Sequence, residues 1–109
     1  MQHLRVEDLK EFSKDKRIRK KLLGSEKIAA EFLCYEPGQG TPIHHHPKQD
    51  EFFYVLEGRG TITVGGEGVV VGPTSLVLVP AQVPHGLSAD RDSRLVVMFV
   101  KAPVSTSSA

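Results

Sequence analysis

From residue 24 onward the apolar and polar positions of this chain alternate in short runs instead of recurring every three or four residues. Strict alternation puts successive side chains on opposite faces and predicts strands with one face buried. The runs Lys27 to Tyr35, Glu51 to Leu56, Thr61 to Val64, Gly68 to Val71, Leu76 to Val79 and Leu95 to Val100 read this way. Gly58-Arg59-Gly60, Gly65-Gly66 and Gly72-Pro73 punctuate them as turns. Gly65-Gly66, set between two short β-branched runs, predicts a two-residue hairpin. Upstream, Val6 to Phe12 places Leu9 and Phe12 on one face of a short helical segment. Lys14 to Leu23 carries six basic residues among apolar ones but no aromatics. It reads as a solvated edge strand whose Lys and Arg discourage edge-to-edge pairing, not as a nucleic-acid strip. Residues 103–109 hold almost nothing to bury and are expected to form a disordered tail. Short strands and close turns imply an all-β sandwich or barrel.

A length of 109 residues means one domain, and a net charge of +1 excludes a general attraction to nucleic acid or an anionic membrane. The single cysteine, Cys34, rules out an internal disulfide; within Ala29 to Tyr35 it reads as a small buried hydrophobe. The first ten residues carry charges where a secretion signal needs an apolar core, and no apolar run approaches a membrane span. A cytoplasmic location is the expectation.

The candidate chemistry lies at His44, His46, Glu51 and His85. In an extended segment His44 and His46 share a face and His45 points away, as a surface histidine. Pro42 and Pro47 bracket them and favour extended backbone. Glu51 heads the apolar run Phe52 to Leu56, where a carboxylate is costly unless it is paired (Arg59 and Lys48 are the available cations) or bound to a metal. His85 follows Pro80 to Pro84, and closure of a barrel would bring it beside the other three. Imidazoles and a carboxylate together suit a divalent transition metal such as Fe, Mn, Ni, Zn or Co. Tyr35, Tyr54, Gln49 and Gln82 are candidate proton-transfer groups only as polar residues near the strands of a pocket. His3 reads as exposed and uninvolved.

The spacing Gly38, five residues, His44-x-His46, four residues, Glu51, six residues, Gly58 resembles the first motif of the small single-domain cupins at every position. The second motif is met in part: Pro80 and His85 fit, Gln82 stands where the pattern has glycine, Ala89 where it has asparagine, and Gly72 is spaced more loosely. The resemblance covers about residues 27–100. It implies a double-stranded β-helix, a jelly-roll barrel, over residues 27–102, with a helical turn and edge strand over residues 1–26 at a homodimer interface built from Lys16 to Tyr35. It further implies that His44, His46, Glu51 and His85 coordinate one divalent metal, which across the family is Fe, Mn, Ni, Zn, Co or Cu. Four protein ligands leave open positions on an octahedral ion, so a metal-dependent enzyme acting on a small molecule, dioxygenase above all, is the expected activity. A non-catalytic ligand-binding or sensor module is the alternative.

Overall fold

The structure is a computed structural model, described over residues 1–104. A 3-10 turn at Val6–Leu9 precedes nine strands. They are β1 Ile18–Gly24, β2 Ala29–Tyr35, β3 Gly40–His44, β4 Asp50–Gly58, β5 Gly60–Val64, β6 Glu67–Val71, β7 Leu76–Val79, β8 His85–Ala89 and β9 Leu95–Ala102. One sheet runs β1-β2-β9-β4-β7 and the other β3-β8-β5-β6, with every pairing antiparallel. Partners far apart in sequence, such as β2 with β9 and β3 with β8, fold the sheets over one another as a double-stranded β-helix.

The six expected runs correspond to β2, β4, β5, β6, β7 and β9, and the basic stretch supplies the edge strand β1. Gly65 and Gly66 join β5 to β6 with φ of 57° and 87°, the positive values a two-residue hairpin needs. The expected helical segment is confined to the single 3-10 turn.

Alternation decides what is inside. Leu33 and Tyr35 of β2, Phe53 and Val55 of β4, and Val97 and Phe99 of β9 meet Ile62 and Leu87 of the facing sheet in one buried cluster. Burying each such side chain stabilises the fold by roughly 1.5–3 kcal/mol. On the outer face of the first sheet, Phe32, Cys34 and Val96 are covered by Val6, Leu9 and Phe12, with Ile18 and Leu22 of β1. The Arg94 guanidinium sits 3.9 Å above the Phe12 ring and donates to Glu36 at 2.7 Å, which pins this segment down. Cys34 is the small buried hydrophobe expected, and burial pushes its thiol up.

The expected tail falls chiefly on residues 105–109, which lie outside the described residues. Its first two residues are tied to the barrel: Gln49 Nε2 donates to the Pro103 carbonyl and the Val104 amide to the Lys27 carbonyl, each at 2.9 Å. No helix among the described residues is long and apolar enough to cross a membrane.

Tyr35 is fully buried, its hydroxyl 2.7 Å from Thr41 Oγ1, and burial pushes the phenol up to about 12. The folded chain therefore holds a proton that the unfolded chain releases near pH 10, so this contribution falls as pH rises from about 10 to 12, by on the order of 2 kcal/mol. Urea unfolding along an alkaline series should show the loss, and Tyr35→Phe should remove that part of the pH dependence.

Candidate metal centre

β3 and β8 bring the first two histidines together. Gly40 pairs with Ser88, Thr41 with Leu87 and His44 with His85, with a register shift between Thr41 and His44. On β8, Leu87 and His85 are two apart and both face inward by simple alternation. On β3, Thr41 and His44 are three apart and would oppose one another in a regular strand. The bulge at Pro42-Ile43 restores the parity, turning His44 inward and leaving Ile43 exposed.

β3 ends at His44, so His46 reaches the same space from the loop beyond it. Alternation within one strand, the route expected from sequence, is not how the two rings converge. Two contacts hold that loop region. The Gln82 amide donates 2.7 Å to the His46 carbonyl, and the Ala81 amide donates 2.8 Å to Asp50 Oδ1 at the start of β4. Gln82 has φ of 72°, so this position keeps the left-handed backbone for which the family pattern has glycine. Glu51 projects from the inner face of β4, in step with Phe53, and is buried.

The ring hydrogen bonds fix which nitrogen His44 and His85 offer. His44 Nδ1 lies 2.9 Å from the Pro42 carbonyl and His85 Nδ1 lies 3.0 Å from the Val83 carbonyl. A carbonyl only accepts, so each Nδ1 carries the hydrogen, and Nε2 of the neutral ring presents a lone pair. Ligand atoms of His44, His46 and His85 all lie within 4.8 Å of one another, close enough for the three to hold one metal ion. Glu51 Oε2 stands 3.4 Å from His46 Nε2, and Oε1 stands 3.0 Å from His85 Nε2. Its short contacts are thus with the imidazoles, while Arg59 faces Asp92 at 3.5 Å.

Glu51 Oε1 and His85 Nε2 are near each other yet make no hydrogen bond, in residues only 3% and 1% exposed. Two buried polar atoms left without partners need an explanation, and a cation between them supplies one. The residues fit a metal by this test. Burial holds the His46 ring below the ordinary histidine range, His44 and His85 push the same way, and Glu51 opposes them. The neutral, ligating form is favoured.

A cavity of about 320 Å³ opens beside these donors. His44, His46 and Glu51 line it, Leu33, Phe53, Leu87 and Phe99 form apolar walls, and the exposed Arg17 and Arg19 stand at its rim. The candidate proton-transfer residues lie elsewhere. Tyr35 is bound to Thr41 within the core, Tyr54 alternates with Glu51 and Phe53 and so faces outward, and Gln49 is engaged with Pro103. Gln82 acts through its backbone amide.

Sequence reasoning missed Arg17, Arg19 and the buried Glu31. Arg19 Nε lies 2.6 Å and Lys101 Nζ 2.9 Å from the Glu31 carboxylate. Burial alone would push that carboxyl up, but these two cations hold it below its usual range. Glu31 shares alternation with Leu33 and Tyr35, and that parity was a signal that it faces inward.

The Cupin domain family profile matches residues 31–101. The chain belongs to the cupin family. Among solved structures, this cupin superposes on a protein of Thermus thermophilus with a TM-score of 0.89 at 27% identity, covering 94% of this chain and 98% of that one. An uncharacterised protein of Streptomyces coelicolor is 44% identical over 67 residues, 60% of this chain and 64% of its own length. Auxin-binding protein 4 of Zea mays is 28% identical over 93 residues, 74% of this chain and 45% of its own length. The matched segments span 45% to 64% of the length of these two curated relatives.

Proposed function

We propose that this cupin is a metal-dependent enzyme acting on a small organic molecule, with dioxygenase activity the best single assignment. The observation that carries it is the placement of the donors: His44, His46 and Glu51 line an apolar-walled cavity, with the buried His85 ring beside them. In this reading His44, His46, Glu51 and His85 hold one divalent ion, Fe, Mn, Ni, Zn, Co or Cu. When bound, such an ion supplies Lewis acidity and, as iron or manganese, redox chemistry toward dioxygen. The chain supplies orientation and dryness. The carbonyls of Pro42 and Val83 set the tautomers of His44 and His85, and Leu33, Phe53, Leu87 and Phe99 keep water off the bound molecule. A relative named for binding auxin is in keeping with a small organic ligand.

Oxygen-electrode measurements on the iron- or manganese-loaded protein, with a panel of diketones, thiols and enediols, test the proposal. Uptake with at least one compound is expected, and it should disappear on removal of the metal. Tight binding of one compound without turnover would make the chain a ligand-binding or sensor module instead.

Cytoplasmic residence and a homodimer through residues 16–35 are part of the same proposal; β1 is a free sheet edge able to meet a second copy. Sedimentation at micromolar concentration should return about twice the 12.0 kDa chain mass. A clean monomer there would refute the pairing.

A further inference from the structure

We infer that Arg17 is the anion-recognising residue of the cavity, and that the molecule bound there is a small organic acid whose carboxylate pairs with it. The inference rests on the metal-dependent reading above and narrows its substrate class.

Alternation along β1 and the residue that leads into it is the first ground. Ile18 and Leu22 pack outward beneath the N-terminal segment, so Arg17 and Arg19 turn toward the cavity, which they line with the apolar walls and the imidazoles. The two arginines are not equivalent. Arg19 has its carboxylate within the protein, bonded to Glu31 at 2.6 Å, and its guanidinium carbon lies 5.8 Å from the centre of the Phe99 ring. Arg17 makes one long hydrogen bond, 3.4 Å to the Gly40 carbonyl, and no carboxylate pairs with it among the described residues. Its fork of N–H donors stays available, and a planar carboxylate is the group that such a fork binds in bidentate fashion.

Charge points the same way. Around the site three cations (Arg17, Arg19 and Lys101) stand against two carboxylates (Glu31 and Glu51), a positive excess before any metal is added. A second hollow lined by Lys16, Arg17, Ile18 and Arg19 adjoins the rim, so the approach is basic as well. The walls set the rest of the molecule. An inorganic anion would leave Leu33, Phe53, Leu87 and Phe99 uncovered, whereas an acid with an apolar body fills the space between them.

The test compares 3-phenylpropanoate with its uncharged amide, 3-phenylpropanamide. Both are titrated into the ¹⁵N-labelled full chain, zinc-loaded and EDTA-stripped, while the amide signals of Leu33, Thr41 and Leu87 are followed. The acid should bind at least about tenfold more tightly than the amide in both forms, as expected for one bidentate charge-assisted pair. Arg17→Gln should bring the ratio close to one with zinc content unchanged. Arg17→Lys, a point charge without the fork, should keep only part of the preference, and Arg91→Gln on the β8–β9 loop should keep all of it. Equal affinities in the wild type, no binding of either probe, or a preference indifferent to Arg17→Gln would each overturn the assignment. A preference that vanishes on stripping and ignores Arg17→Gln would put the carboxylate on the metal, sinking the role of Arg17 and leaving the metal reading intact. Failure to bind zinc, with the preference retained, would do the reverse.

Discussion

With alanine in place of His46, protein purified without added metal or an affinity tag should retain less than about a tenth of the wild-type metal. Changes in residues that merely support a ligand already cost about 10–100-fold in affinity, and loss of a ligand should cost more. The fold should persist. His46 lies beyond the end of β3 with its side chain 34% exposed and outside both hydrophobic clusters, so truncation leaves the apolar core and the β3–β8 pairing untouched. Elemental analysis and circular dichroism check the two halves of this result; full occupancy in His46→Ala would mean that the ligand set is wrong. The pH dependence follows from the depressed ring. Because burial and the neighbouring imidazoles disfavour the protonated His46, the ligating form persists to lower pH than in a free histidine, and acid then releases the ion. In the metal-free chain the sign is the same. The folded state binds fewer protons at His46 than the unfolded state does, so this contribution is present above the ordinary histidine value and is lost as pH falls through and below it.

Gly58→Ala should destabilise the protein by roughly 4 kcal/mol or more, while Gly38→Ala should cost only about 1–2 kcal/mol. The two glycines begin and end the first cupin motif, and both adopt left-handed backbone, with φ of 85° and 82°. That strain is common to them. They differ in their surroundings: a Cβ on Gly58 would lie 1.7 Å from the Arg94 carbonyl oxygen and 2.7 Å from its carbon, whereas one on Gly38 meets nothing within 4 Å. Gly58 pairs with Leu95 where β4 meets β9, so relief of the clash requires the central strands of the larger sheet to part. Urea unfolding of both variants isolates the steric part, and equal costs would show that backbone strain alone explains the motif glycines.

Most of the strands were legible because their apolar positions alternate and glycine pairs mark their ends. β3 and β8 were not read as runs. They carry Gly40, Pro42 and Gly86, residues that weaken a strand locally, and they hold together through each other. The four candidate ligands were legible from residue type and spacing, but their geometry was not. The bulge before His44 and the contact between Gln82 and His46 depend on partners far along the chain. Arg17 was hidden for a related reason: a basic stretch looks solvated until the neighbouring strand shows which of its charges turn inward.

The irregularity at Pro42-Ile43 carries a consequence for how this site can be lost. Because one additional residue sets the phase of everything that follows it, a substitution that straightened this segment at its present length would rotate the imidazole of position 44 toward bulk solvent, whereas deleting the codon for Ile43 would leave it facing His85. A descendant gene could thus encode all four donor side chains and still yield a protein whose centre has been dismantled.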